Sequence, residues 1–361
     1  MMDNKHRMLL WLLLAGALLL GLHFLLHRTL LRLPRCTSNV QLHGRTAVVT
    51  DEEPGPTAPA HRPILGPGVL SHATKTKPVE LKNGSNTGIG KATAKELAQR
   101  GARVILACRD QRRAQAAVQE ITMETGTQQV IFMHLDLASL KSVRCFAETF
   151  LRTESRLDLL INNAGLAKDG RTEDSFGMIF GVNHLGHFLL TVLLLDRLKA
   201  SGSGRVVTVA SKGYELGKID FECLTTHRDL AQGTSGFQVF MKYCDSKLCN
   251  VLFTYELARR LQGSGVCCYS LHPGAIKTDI GRYSSFWWQL VIKPVVFLFF
   301  VDAESGAQTT LHCALEQGME HLSGHYFSQC APLLDVQAKA RDAAVAKKLW
   351  ELSERFCGLS P

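Results

Sequence analysis

Runs of apolar, largely β-branched residues alternate along this chain with segments whose apolar positions recur at helical spacing. The runs 46–50, 104–107, 130–135, 157–161, 204–210 and 266–271 predict strands, and 91–100, 114–122, 143–151 and 243–261 predict helices. The strand runs are nearly continuous in Val, Ile and Leu, as expected of strands buried on both faces. The pattern therefore predicts an α/β fold, a doubly wound parallel (Rossmann) sheet in a single domain. A last segment, 338–356, predicts an amphipathic helix with Val345, Leu349, Leu352 and Phe356 on one face, packed on the body.

Two segments break the alternation. From Met8 to Leu26, 19 residues run without Asp, Glu, Lys or Arg, enough for a helix to cross the roughly 30 Å hydrocarbon core. The basic stretch HRTLLRLPR follows, with no small-residue cleavage site, which favours an uncleaved transmembrane anchor over a signal peptide. Arg28, Arg32 and Arg35 after the span, against Lys5 and Arg7 before it, predict a cytosolic body. The second segment, 51–83, carries six of the eleven prolines and no apolar period, so it predicts no regular structure. The organisation is thus 1–35 anchor and flanks, 43–335 main domain interrupted by 51–83, and 336–361 C-terminal helix and tail.

Charge adds little to this picture. Residues 1–45 hold Lys5, Arg7, Arg28, Arg32, Arg35 and Arg45 against Asp3, so more than half of the net charge of +9 flanks the anchor. No basic stripe interleaved with aromatics exists elsewhere, and nucleic-acid binding is not expected. Eleven cysteines without a C-x-x-C pair predict free thiols in a reducing compartment, with neither a zinc site nor a redox motif. His184 and His187 lack a third ligand at metal spacing and are expected to be structural. No G-x-S-x-G elbow is present for a Ser-His-Asp hydrolase.

The candidate chemistry begins at Gly84-Ser85-Asn86-Thr87-Gly88-Ile89-Gly90, which leads into the helical KATAKELAQRG. Glycines there allow a tight turn and close approach of a pyrophosphate, held at a helix N-terminus. An ordinary loop-to-helix turn fits the spacing equally well. Further on, Tyr243 and Lys247 stand four residues apart on one helix face, a spacing that by itself describes many solvated helix surfaces.

Taken in order, the glycine loop, Asn162-Asn163-Ala164-Gly165 after an apolar strand, Asn183, Ser211 and Tyr243-Cys244-Asp245-Ser246-Lys247 resemble the short-chain dehydrogenases/reductases. The resemblance spans residues 43–50 and 84 to about 330. LACRD, LINNAGL, VNHLGHFLLT, YCDSKLCNVLF and SLHPGAIKT resemble the membrane-anchored, retinol dehydrogenase-like subgroup. This resemblance implies an oxidoreductase that interconverts an alcohol and its aldehyde or ketone by hydride transfer. One departure is large: the family runs its first strand directly into the glycine loop, whereas here Asp51 follows Thr50. Deleting 51–83 would restore T-G-S-N-T-G-I-G, so 51–83 reads as an in-frame insertion at the phosphate turn. A rival reading makes 78–82 the first strand, although its alternation suits a half-exposed strand better than a buried central one.

For the cofactor, an acidic residue about 20 positions beyond the glycine loop would favour NAD and an arginine NADP. Cys108 and Arg109 stand there, with Arg112 and Arg113 behind, which predicts NADP(H) with Arg109 as the charge partner. Asp110 is one residue further, and arginines are common at helix starts. The resemblance implies that Asp136 and Leu137 lie near the adenine, that Asn162 supports the sheet, and that Asn163, Ala164 and Gly165 line the nucleotide. It also implies Pro273, Gly274 and Thr278 at the nicotinamide. A helix N-cap role for Asp136 and a turn role for Thr278 remain open.

Tyrosine titrates near 10 and needs a neighbouring cation to act as an acid/base at neutral pH. Lys247 is placed to supply it. By resemblance Tyr243 exchanges the proton, Lys247 also binds the nicotinamide ribose, Ser211 holds the carbonyl and Asn183 keeps a water in the proton path. Ser211 and Tyr243 are 32 residues apart, with an extended loop expected over 212–242. The apolar stretch 284–302, rich in Trp and Phe, predicts either a buried lid or a membrane-touching entrance, and in both cases a hydrophobic substrate such as a retinoid, sterol or fatty aldehyde. Anchor and resemblance together predict an endoplasmic reticulum membrane protein. The competing expectation is a non-catalytic membrane protein whose nucleotide site is disrupted by 51–83. Oligomeric state is not legible.

Overall fold

A computed structural model describes residues 34–51, 88–226, 236–274 and 302–359. The anchor, segment 52–83, Gly84 to Thr87, Thr278 and 284–301 lie outside the described residues. Eight strands form one sheet in the order β3-β2-β1-β4-β5-β6-β7-β8. They are β1 Thr46–Thr50, β2 Arg103–Cys108, β3 Val130–His134, β4 Leu159–Asn162, β5 Arg205–Val209, β6 Cys267–His272, β7 Tyr326–Ser328 and β8 Ala331–Pro332. Every pairing is parallel except β7 with β8. The helices are α1 Ile89–Gln99, α2 Gln111–Thr125, α3 Leu140–Thr153, α4 Met178–Ala200, α5 Phe221–Thr226, α6 Gly236–Arg260, α7 Ala303–Leu315 and α8 Ala343–Phe356.

The doubly wound sheet is as expected, and the reason is visible within one strand. In β1 all five residues are buried; Val48 points into the core shared with α3, α4 and α6, while Ala47 and Val49 point into the core shared with α1 and α7. Successive side chains leave opposite faces, so a strand clothed on both sides must be apolar throughout. Because 46–50 fills the strand position between β2 and β4, the rival first strand at 78–82 is not needed.

Some expectations are corrected. The stretch 212–242 is not simply a loop: among its described residues, a 3-10 turn covers Lys212–Glu215, α5 follows, and α6 begins at Gly236, seven residues before Tyr243. The C-terminal helix begins at Ala343, because Asp342 caps it by accepting from Ala344 N (2.9 Å) and Val345 N (3.0 Å); 338–341 forms a separate 3-10 turn. α8 also buries Trp350, which meets Phe188 edge-on (centroids 4.9 Å) and stacks with Phe253 (5.9 Å). The tail is thus part of the main core. α4 is long and apolar enough to cross a membrane, yet most of it is buried against the sheet; apolarity here serves the core.

Candidate active site

Strand order reverses between β1 and β4, whose carboxyl ends therefore open a crevice, the place where ligands bind in sheets of this kind. At the end of β1, Thr50 Oγ1 accepts from Asn163 N (2.9 Å) and Ala164 N (3.1 Å), which fastens the Asn163-Ala164-Gly165 loop to the first strand. Asn163 Nδ2 donates to Thr50 O (3.1 Å), and Asn163 Oδ1 is buried without a partner among the described residues. Asn162 braces the sheet by donating to Thr191 Oγ1 on α4 (3.0 Å).

Gly88 stands at the N-cap of α1 with no side-chain cap, and Asp51 fills the space in front of it. A Cβ on Gly90 would lie 2.7 Å from Asn163 Nδ2 and 2.9 Å from Asp51 Cγ; one on Gly88 would lie 3.5 Å from both Asp51 carboxylate oxygens. Residues 51 and 88 therefore meet at the mouth of the crevice. The glycines leave room for a close approach, and an aspartate carboxylate has taken it, at the helix terminus that favours negative charge.

At the opposite end the structure brings Asn183, Ser211, Tyr243 and Lys247 together. Asn183 sits in a π-turn, Gly181–Gly186, the kind of helical irregularity that gathers at functional sites. Its side chain clamps the Leu166 backbone, accepting from Leu166 N (2.8 Å) and donating to Leu166 O (2.9 Å), and also donates to Ser246 Oγ (3.0 Å). Ser246 in turn donates to Tyr243 O (2.7 Å). Ser211 caps the turn after β5, accepting from Gly213 N (3.2 Å), and its hydroxyl bonds to that of Tyr243. Lys247 Nζ donates to Val209 O (3.0 Å) and lies 5.5 Å from the centre of the Tyr243 ring. A Cβ on Gly165 would stand 3.1 Å from Lys247 Nζ and 3.6 Å from Asn183 Oδ1, so only glycine leaves this floor open.

Electrostatics correct one expectation. Burial pushes the Tyr243 hydroxyl up to about 12, and its bond to Ser211 recovers only part of that. Burial brings Lys247 itself down to about 8, and its ammonium donates to a backbone carbonyl, leaving it behind the Tyr243 ring rather than on the hydroxyl. His272, before the Pro273-Gly274 turn, accepts from Lys212 N through Nδ1 (3.3 Å); burial holds it near 4. Gly274 has φ +97°, which lets the chain leave β6 sharply.

At the adenine side Arg109 is exposed and has no ion pair among the described residues, whereas Asp110 is committed: it caps α2 by accepting from Arg113 N (3.1 Å) and pairs with Arg113 (3.6 Å). Asp136 accepts from Ala138 N (2.9 Å), while the cap of α3 is Ser139, so the expected alternative role for Asp136 belongs to its neighbour. Leu137 is buried beneath Gly186. Sequence reasoning missed the hydrogen-bonding roles of Thr50 and Ser246, and it read His187 as structural without finding its partners. The adjacency of Asp51 to Thr50, where glycine was expected, was the one available signal at this junction.

A family model described as short chain dehydrogenase matches residues 81–222. The chain is 48% identical to retinol dehydrogenase 11 of Homo sapiens over 310 residues, covering 84% of this chain and 93% of that one. It is 44% identical to dehydrogenase/reductase SDR family member 13 of Homo sapiens over 352 residues, 97% of this chain and 83% of the relative. A crystal structure of an uncharacterized protein from Mycobacterium paratuberculosis matches with a TM-score of 0.62 and 32% identity, covering 88% of this chain and 95% of that one. The chain belongs to the short-chain dehydrogenase family. Within it, the chain falls in the retinol dehydrogenase-like subgroup, whose members are oxidoreductases of alcohols and carbonyls that use a nicotinamide dinucleotide.

Proposed function

We propose that this protein is an NADP(H)-dependent oxidoreductase that interconverts a lipophilic alcohol and its aldehyde or ketone, retinoid-like in character, at the endoplasmic reticulum membrane. The observation that carries this reading is the convergence of Asn183, Ser211, Tyr243 and Lys247 at the carboxyl ends of β4 and β5, with Gly165 leaving their floor open. A nicotinamide dinucleotide supplies or accepts the hydride when bound. In the reducing direction Tyr243 Oη, already bonded to Ser211, gives its proton to the carbonyl oxygen, and Ser211 Oγ holds that oxygen. Lys247 keeps a compact cation behind Tyr243, where the negative charge left on the phenol oxygen develops. Asn183 ties the Leu166 loop to the catalytic helix, and Leu137, Asp136, Asn163 and Ala164 would hold the nucleotide.

An exposed Arg109 beside a committed Asp110 supports NADP(H) over NAD. Pro273, Gly274 and Thr278 would meet the nicotinamide, and Gly84, Ser85, Asn86, Thr87, Gly88, Ile89 and Gly90 the pyrophosphate. The apolar segments 8–26 and 284–302 support an anchored enzyme with a hydrophobic substrate, as do the names of the relatives.

Asp51 favours a second reading, a non-catalytic protein whose phosphate site is closed by its own carboxylate. Binding of NADPH to the detergent-solubilised full chain, beside the chain lacking 51–83, separates the two. Micromolar binding and retinal reduction by both support the enzyme; binding by the deletion variant alone supports the second reading.

A further inference from the structure

His187 lies one turn beyond Asn183 on α4, buried between that helix and the ends of β1 and β4. Its Nδ1 is 3.2 Å from Asn183 O. A carbonyl oxygen can only accept, so Nδ1 carries the proton. Nε2 is 3.0 Å from Thr50 Oγ1. That hydroxyl already spends its acceptor capacity on Asn163 N and Ala164 N, so it must donate, and a bare Nε2 is the nearest acceptor; Ile161 O is further, at 3.3 Å. Every donor and acceptor on the imidazole and the hydroxyl is then used once, a closed network in which neither partner can change protonation without leaving a buried group unpaired.

The geometry points to His187 as a positioning residue: a neutral Nδ1–H imidazole that locks the Asn183 carbonyl to the Thr50 hydroxyl, and through it the Asn163-Ala164-Gly165 loop to the π-turn. This inference rests on the proposed oxidoreductase reading, because the parts it aligns are those assigned to catalysis there. Burial brings the ring to about 4, and the Lys247 ammonium adds to that effect, so the ring stays neutral at physiological pH. Gly165 leaves the gap facing Lys247 Nζ and Asn183 Oδ1, so a slip of the loop relative to α4 would be felt at both. A mismatch of about 1 Å at such a site costs on the order of 100-fold in rate.

The test uses the full chain in detergent with three variants, His187→Phe, His187→Asn and Thr50→Val. His187→Phe keeps the ring volume and removes both bonds; it is expected to lower kcat for retinal reduction about 100-fold while the KM for retinal stays within about threefold. His187→Asn restores a donor at the Nδ1 position and is expected to recover about tenfold of that loss. Thr50→Val lowers kcat by itself and adds nothing to His187→Phe, since both cut one chain of bonds. Loss of KM together with kcat, no recovery in His187→Asn, or additive losses overturn the inference. If the wild type turns over no carbonyl, the functional reading falls, and nitrogen-15 NMR of the labelled histidines decides the bridge independently. An Nδ1–H ring at pH 7 whose Nε2 resonance moves in Thr50→Val upholds it; an Nε2–H ring or an imidazolium overturns it.

Discussion

At the Tyr243 end of the crevice, the Asn183 side chain makes three hydrogen bonds, Ser246 relays it to the backbone of the catalytic helix, and Lys247 is tied to β5. At the phosphate end, Gly88 begins α1 without a side-chain cap and a carboxylate from the neighbouring strand stands in front of it. The first end is specified by residues far apart in sequence that the sheet brings together, so no single junction governs it. The second depends on one covalent step, from the last residue of β1 into the glycine turn. A change at that step leaves every strand in place and alters the charge of the cradle.

The largest effect is expected at the well-built end. Tyr243→Phe should lower turnover about 1000-fold, the middle of the range a positioned proton donor contributes, with NADPH binding retained. Stopped-flow reduction alongside fluorescence titration reads both, and substantial turnover by the variant would remove Tyr243 from the mechanism. Next comes the adenine side. Arg109→Asp should shift the NADPH to NADH preference about 10- to 100-fold toward NADH, the worth of one or two charge-assisted bonds to a phosphate. An unchanged ratio of kcat/KM values would take Arg109 out of the site.

The pH dependence comes third. Lys247 is held down at about 8, so its ammonium is present below that pH and lost above it. If that cation supports proton delivery by Tyr243, kcat/KM for reduction should fall about tenfold per unit above pH 8. Lys247 replaced by arginine should lose that limb, and a flat profile to pH 10 in the wild type would sink the assignment. The smallest effect tests the poorly built end. Asp51→Gly should tighten NADPH binding about tenfold, equal to about 1.4 kcal/mol, by removing a carboxylate that competes for the helix N-terminus. Calorimetry reading equal or weaker binding would mean that the carboxylate moves aside without cost.

Much of this was legible beforehand for physical reasons. Strands such as LLIN and RVVTV are apolar because both of their faces are covered, and a sheet of such strands has few alternatives. Asn183, Ser211, Tyr243 and Lys247 were legible because their order and spacing match a family. The cap at Asp342 was not foreseen, since an aspartate within an amphipathic stretch is compatible with either a cap or a solvated face. Neither was the rise in the Tyr243 pKa. A four-residue spacing puts two side chains on one helix face but does not say where an ammonium points, and Lys247 turns to Val209 O. The bonds of His187 were invisible for a similar reason: Thr50 is 137 residues away in the chain.

The union of α8 with α4 has a consequence for how the molecule is made. His184 Nε2 donates to Ser353 Oγ (2.9 Å), and Trp350 closes over Phe188, so the helix that carries Asn183 obtains part of its packing from residues near the end of the polypeptide. Translation delivers Asn183, Ser211, Tyr243 and Lys247 to the solvent well before it delivers Trp350. A message with a premature stop codon before residue 342 would encode all four and still leave Phe188 and Phe253 without their aromatic cover, a nascent product complete in its chemistry and unfinished in its core.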